Sequence, residues 1–326
     1  MPITLTFHES QYPARVIEQL RHGLRTRRLP ITCLYDSPGQ AQRWLSYHQA
    51  YSPSRIESDL LALYQRSFHT ALRLMQPVSL HYISLGCGGG RKDALFLQQA
   101  QFQCRHLHFT PIDISAALVL ETIVHIQDAF PDLSSSPHVL DLEVQPDLVS
   151  LLSEHETVAS KRLLSCFGMI PNFEYRAFLP SLRSLMRPAD LLLISANLSP
   201  TPCAESQAHI LPQYDNPLAH AWFGGLLNSL GFPASHVRIT VQAEPLRPDG
   251  HIWQIQAYAS FLQAVTVTVY DEAFHFTPDE RLDLFFSNRF TPQVMPHILA
   301  DAGLRIVETF LLASHEEGIY LCARSA

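Results

Sequence analysis

The chain has 326 residues and a formal net charge of −7, so it lacks the bulk positive charge on which general nucleic-acid binders rely. Its apolar fraction of 47% is enough for a large core, as one domain with an elaboration or as two. No stretch approaches the ~20 apolar residues needed to cross a bilayer, and no membrane partner is expected. The opening segment, Met1 to Ser10, has no basic stretch ahead of an apolar run. The cysteines (Cys33, Cys87, Cys104, Cys166, Cys203 and Cys322) are scattered without a C-x-x-C pair. Both features predict a cytoplasmic protein with reduced thiols.

Residues 1–75 read as a helical region, with Ile56, Leu60, Leu61, Leu63 and Tyr64 at amphipathic spacing and the pattern running on to Leu74. Strands and helices then alternate. His81 to Leu85 is a predicted strand, followed by a glycine cluster and a helix over Lys92 to Ala100. His106 to Ile112 is a second strand, and Ser115 caps a helix that reaches about Phe130. Ser134 to Ser136 reads as a loop, His138 to Leu140 as a strand and Asp147 to Leu152 as a short helix. Arg162 to Cys166 and Leu191 to Ser195 are strands with a helix over Tyr175 to Met186 between them. This order predicts a parallel sheet covered on both faces. After about residue 200 the pattern changes. A helix over Leu218 to Leu230 precedes Val237 to Val241, Ile252 to Ala259 and Ala264 to Tyr270, which alternate without helices and predict an antiparallel sheet. A helix over Gln293 to Ala302, closed by Gly303, and strands over Leu304 to Leu311 and Gly318 to Arg324 return to the first pattern and end in a hairpin. The expected division is therefore a core of 76–200 and 287–326 with 201–286 inserted into it. His106 and His108 form an H-x-H on a strand, but two potential ligands do not make a zinc site, and they read as ordinary strand histidines.

Only 13 glycines occur, and four of them (Gly86, Gly88, Gly89 and Gly90) share one five-residue window between a strand and a helix. Missing Cβ atoms let a ligand approach the backbone, and the helix start offers free N–H groups. A Walker A loop fails because Lys92 is followed by Asp93. A dinucleotide fingerprint fits Gly86 and Gly88 but meets Arg91 at its third position, where bulk opposes close helix–strand packing. The looser G-x-G turn of S-adenosylmethionine-dependent enzymes fits, and a tight turn without a ligand remains the other reading. Asp113 ends the second strand, 27 residues after Gly86, near the offset at which a carboxylate meets ribose hydroxyls. It also precedes a helix, which a carboxylate favours without any ligand. Asp141 beside Leu142, at the end of the third strand, suits an adenine amine and ring face.

Several ordered segments resemble one family. They are Tyr51-Ser52-Pro53-Ser54-Arg55-Ile56-Glu57, the turn Leu85 to Asp93, Phe109-Thr110-Pro111-Ile112-Asp113-Ile114-Ser115, Phe167-Gly168-Met169-Ile170-Pro171-Asn172-Phe173, Tyr214-Asp215 and Ser287-Asn288-Arg289-Phe290. Together they resemble the histidine Nα-methyltransferases of ergothioneine biosynthesis, over nearly the whole length. The resemblance implies an α/β fold: a Rossmann-like class I methyltransferase core, with a parallel sheet and a C-terminal antiparallel hairpin, plus an inserted α+β substrate-binding domain. It implies S-adenosyl-L-methionine as cofactor, bound by Gly86, Cys87, Gly88, Lys92, Asp113, Asp141 and Leu142. Asn172 and Tyr214 would hold and orient the amino and carboxylate groups of an amino-acid substrate, with Tyr51 nearby and Ser287 at its side chain. No metal is implied.

This sequence departs from the family at three places. Phe285 stands where the histidine enzymes carry the Glu that grips the imidazole, and an aromatic ring cannot accept that hydrogen bond. Ser84 stands where related turns often have an acid, and Pro171 replaces a glycine. Tyr214 also reads as an interfacial tyrosine between domains, and Phe285 as a core aromatic. The expectation is an N-methyltransferase for the amino group of a small amino acid or amine other than histidine, working as a monomer without nucleic acid. The alternative is an inactive S-adenosylmethionine-binding sensor or partner protein, and a weaker one is transfer to oxygen or sulfur.

Overall fold

The computed structural model describes residues 3–51, 58–143, 148–153, 160–202 and 204–325. The chain opens with a two-residue strand, β1 (Thr6–Phe7), and the helices α1 (Pro13–Thr26) and α2 (Pro38–Tyr51). Helix α3 (Ser58–Met75) leads into β2 (Ser79–Leu85), α4 (Arg91–Ala100), β3 (His106–Asp113), α5 (Ala116–Ala129), β4 (Ser134–Ser135) and β5 (His138–Val139). Then come α6 (Leu148–Ser153), β6 (Lys161–Phe167), α7 (Tyr175–Leu185) and β7 (Leu191–Asn197). Helices α8 (Ala204–Ile210) and α9 (Pro217–Ser229) precede β8 (Val237–Pro245), β9 (Ile252–Phe261), β10 (Val265–Val269), β11 (Glu272–Phe276) and β12 (Arg281–Phe290). Helix α10 (Met295–Asp301), β13 (Leu304–Leu311) and β14 (Glu317–Arg324) complete it.

Among the described residues one sheet runs in the order β1-β5-β3-β2-β6-β7-β14-β13, with β4 beside β3. Its pairs are parallel up to β7, and β14 lies antiparallel to both neighbours. Side chains of β2 alternate between two cores. Leu80 and Tyr82 join one cluster with Phe68 and Phe96, whereas Ile83 and Leu85 join another with Ile112 and Leu164. Strands β2, β6 and β7 are buried almost along their whole length, as strands covered on both faces are. The expected cap is present, since Ser115 Oγ accepts from Leu118 N at 3.4 Å. Asn216 caps α9 in the same way, its Oδ1 accepting from Leu218 N and Ala219 N at 3.1 and 3.0 Å.

A second layer consists of the antiparallel sheet β12-β9-β8 and the hairpin β10-β11. It has its own core, in which Trp222, Phe223, Phe232 and Phe261 pack with Leu24 and Leu34. The stretch over α1 and α2 is knitted into this layer, whereas β1 joins the central sheet. Gln40 Nε2 donates to the Trp222 carbonyl at 3.1 Å, Trp222 Nε1 to the Leu34 carbonyl at 2.9 Å, and Leu29 N to the Asp283 carbonyl at 2.9 Å. Helix α3, by contrast, packs on the central sheet.

The structure differs from the sequence reading at four places. Thr6–Phe7 is a strand paired with β5 inside a stretch expected to be helical. Ser134–Ser135 pairs with β3 instead of looping freely. Strand β12 is continuous from Arg281 to Phe290, so Ser287 still belongs to the antiparallel sheet. Strand β11, unforeseen, completes a hairpin with β10. The predicted helix start Asp147, and Ser52 to Glu57 of the first family segment, lie outside the described residues.

Candidate functional site

The strand order reverses between β3 and β6 on either side of β2, and open α/β sheets bind ligands in the crevice beyond such a point, at the carboxyl ends of the strands. A cleft lies there, between the central sheet and the second layer. Tyr51, Gly86, Cys87, Gly88, Lys92, Asp113, Asp141, Leu142, Asn172, Tyr214 and Phe285 all line it. Ser287 is not among the lining residues. It is 1% exposed, with its Oγ 3.0 Å from the Tyr214 hydroxyl.

The glycine turn follows β2 directly. Gly86, Gly88, Gly89 and Gly90 all have positive φ, which L side chains adopt only at a cost. A Cβ on Gly86 would overlap Met169 Sδ, and one on Gly90 would fall 2.8 Å from Thr122 Cγ2. The close helix contact expected of a third glycine is therefore made by Gly90, against α5, one position before Arg91. Gly86 N and Cys87 N donate to the Ile112 carbonyl at 2.8 and 3.0 Å, and Gly89 N donates to Thr122 Oγ1 at 3.1 Å. These bonds tie the turn to β3 and α5.

Asp113 is buried beneath the turn. Its Oδ2 accepts from Gly88 N and its Oδ1 from Ser115 N, both at 3.0 Å. Burial pushes its carboxyl up to about 6, against the opposing effect of those N–H donors. A carboxylate has about four acceptor positions, so capacity for two hydroxyls remains. Asp141 is also buried and raised by burial, and its Oδ1 accepts from Glu143 N at 2.9 Å. Asp93, in the first turn of α4, is pushed up to about 6 by burial, opposed by hydrogen bonds from Tyr82 and Ser84. A buried acid thus stands beside Ser84, carried by the helix rather than the strand.

Lys92 enters a buried polar cluster. Its Nζ donates to the Tyr64 hydroxyl at 2.8 Å, and that hydroxyl donates to Glu317 and lies 2.7 Å from Ser195 Oγ. Burial, followed by the neighbouring Glu317 charge, raises Tyr64 well above the usual tyrosine range. Cys87 is raised by burial and by the nearby Asp113, so it is a neutral thiol and no nucleophile.

The opposite wall is aromatic. Trp44, Tyr47, His48 and Tyr51 line the cleft from one face of α2, at positions i, i+3, i+4 and i+7. That spacing is visible in the sequence and could have named them. Tyr35 packs edge-on to both Trp44 and Trp222, and Trp222 meets Phe285 at 5.7 Å between ring centroids. Phe285 belongs to the second core and to the cleft wall at once. Burial raises Tyr35 and Tyr47 well above the usual tyrosine range, so both hydroxyls keep their protons. Asn172 ends a 3-10 turn over Ile170–Asn172, with its backbone N donating to the Met169 carbonyl at 2.9 Å. Arg289 also lines the cleft, and Glu317 reaches it from β14. Neither was singled out from the sequence.

The model of a family described as histidine-specific methyltransferase, S-adenosylmethionine-dependent, matches residues 15–231, more than half of the chain. The chain belongs to that family. It is accordingly an S-adenosylmethionine-dependent methyltransferase. No curated protein matches it in sequence. Solved structures similar to it include an S-adenosylmethionine-dependent methyltransferase from Clostridium acetobutylicum, 10% identical over 87% of this chain and 99% of that one, with a TM-score of 0.47. Magnesium protoporphyrin IX methyltransferase from Synechocystis, solved with bound SAH, is 14% identical over 90% of this chain and 96% of that one, with a TM-score of 0.43. A possible exported protein from Bordetella parapertussis is 11% identical over 96% and 95%, with a TM-score of 0.48.

The cleft of this methyltransferase fits its cofactor chemically. The glycine turn leaves backbone exposed where side chains would intrude, since a Cβ on Gly88 would come within 3.2 Å of the Trp44 ring. Two buried carboxylates with spare acceptor capacity, Asp113 and Asp141, match a ribose diol and an adenine amine.

Proposed function

We propose that this family member methylates the amino group of a small amino acid or amine, and that the acceptor is not histidine. The observation that carries the reading is Phe285. Its ring lies 7% exposed among Trp222, Phe223 and Tyr214, where resemblance places an imidazole-gripping carboxylate in histidine enzymes. An imidazole N–H facing these rings would lose its hydrogen bonds to water without replacement, a loss of about 1–3 kcal/mol. An apolar or aromatic side chain would gain by the same burial.

On this reading Gly86, Cys87, Gly88, Lys92, Asp113, Asp141 and Leu142 hold the cofactor, and 201–286 serves as the substrate-binding insertion. When bound, S-adenosylmethionine supplies an electrophilic methyl group on a sulfonium that leaves as a neutral thioether. Little acid–base chemistry is then required of the chain, and its contribution is alignment. Asn172 offers an amide to orient the acceptor amine with its lone pair free. Tyr214 accepts a hydrogen bond from Arg289 at 2.9 Å, which leaves its own proton for Ser287 or for a substrate oxygen. The aromatic wall of Tyr35, Tyr47 and Trp222 excludes water from that half of the cleft.

The test is transfer of labelled methyl from S-adenosylmethionine across the amino acids and biogenic amines, with product fragmentation to locate the label. An N-methylated apolar or aromatic amino acid supports the proposal. Labelled oxygen or sulfur, or histidine as best acceptor, contradicts it. Binding without transfer to any acceptor would leave a sensor or partner protein.

A further inference from the structure

Arg289, near the end of β12, is 1% exposed and lines the cleft. Its hydrogen bonds all go to neutral oxygens. Nη2 donates to the Tyr214 hydroxyl at 2.9 Å and to Gln213 Oε1 at 3.1 Å, and Nη1 donates to the Leu198 carbonyl at 3.5 Å. Its Nε is buried with no hydrogen-bond partner. Among the described residues no carboxylate lies within 4.0 Å of its guanidinium. The other deeply buried arginine among the described residues, Arg162, shows the ordinary solution, with Nε donating to Asp190 at 2.9 Å. A guanidinium does not shed its proton, and a buried charge without a counter-charge is strongly unfavourable. Such a group is stable in a fold when a ligand completes it.

The surroundings say which ligand. The Tyr214 ring lies 5.2 Å from the guanidinium, and Trp222 and Phe285 continue the apolar wall beyond it. One guanidinium beside one hydroxyl donor suits a planar monoanion, whereas a phosphate calls for more donors. Tyr214, accepting from Arg289, is left to donate, so the two residues offer matched hydrogen bonds to one carboxylate.

We propose that Arg289 is the counter-ion for the carboxylate of the methyl acceptor, so that the cleft takes an amino acid and rejects a plain amine. The inference rests on the N-methyl-transfer reading and narrows it from amino acids or amines to acids. Arg289 acts as a specificity-determining residue.

The experiment is calorimetric titration of the full chain, held with S-adenosylhomocysteine, using the protein amino acids and the matching amino amides. The best-bound acid should outbind its amide by about tenfold or more, as expected for a lost charge-assisted hydrogen bond. Arg289→Gln should erase that difference while leaving S-adenosylhomocysteine affinity unchanged, and Arg289→Lys should restore part of it. Equal binding of acid and amide by the wild type overturns the inference, as does an acid preference that survives in Arg289→Gln. If Arg289→Gln fails to fold, seen as lost S-adenosylhomocysteine binding, the wild-type comparison decides alone. The two readings fail differently. Methylation of plain amines as fast as of acids sinks the role of Arg289 and leaves N-methyl transfer standing. An acid bound through Arg289 but never methylated on nitrogen does the reverse.

Discussion

Asp113 joins two functions at one side chain. Its carboxylate fixes the glycine turn through Gly88 N and Ser115 N, and its remaining capacity faces the cofactor role proposed for it. Because burial lifts its carboxyl to about 6, the folded protein takes up this proton near pH 6 and the unfolded chain only near the usual carboxylate value. Ionised Asp113 therefore costs stability above pH 6, and that cost is relieved as pH falls through 6. Ligand binding runs the other way, since hydroxyls need the ionised acceptor. Affinity for S-adenosylhomocysteine should fall as pH drops from 7 to 5, and Asp113→Asn should weaken it by about tenfold or more and flatten that dependence. A titration series across pH checks both. Gly86→Ala should destabilise by about 1–3 kcal/mol, because φ is +74° and the new Cβ meets Met169, as denaturant unfolding would show. Asp113 was legible because its distance from the turn is fixed by one β–α–β unit. Arg289 was not, because its significance depends on Leu198, Gln213 and Tyr214, which only the fold brings to it.

Elements were readable where their period was clean. Strand β7 begins with four apolar residues in a row, Leu191 to Ile194, and the capped helices α5 and α9 announce their starts through Ser115 and Asn216. Strand β12 was not foreseen, because a bulge between Asp283 and Phe285 breaks its alternation, placing Leu284 and Phe285 both in the buried set. The turn between β10 and β11 was hidden because Tyr270, at φ 59°, occupies a position that glycine or asparagine usually marks. Strand β1 is two residues long and has no period to read. At this scale the buried pair Arg162–Asp190 fastens β6 to the start of β7, with Arg162 Nη2 also donating to the Leu185 carbonyl at 2.6 Å. Arg162→Met should cost about 3–5 kcal/mol by stranding Asp190, and the double variant Arg162→Met with Asp190→Leu should recover most of it. Urea unfolding of the single and double variants checks this.

The whole molecule places its cleft between two layers with separate cores, and helices α1 and α2 belong to the second of them. Ligands that touch both layers couple them. Saturation with S-adenosylhomocysteine at 100 times its dissociation constant should stabilise the fold by about 2.7 kcal/mol, read as a rise in melting temperature. Asp113→Asn should shrink that rise at the same ligand concentration. The part of the cleft proposed to hold the cofactor has residues that the sequence already named, because strand ends of one sheet carry them. The acceptor half was less so, because it is assembled from α2, α9 and β12, which lie far apart in sequence. The most direct measurement is therefore the labelled-methyl assay with all amino acids in competition, followed by fragmentation of the product. Label is expected on the amino nitrogen of an apolar or aromatic amino acid, with little on histidine. Histidine as the preferred acceptor would contradict it, because Phe285 would then have failed to exclude the imidazole.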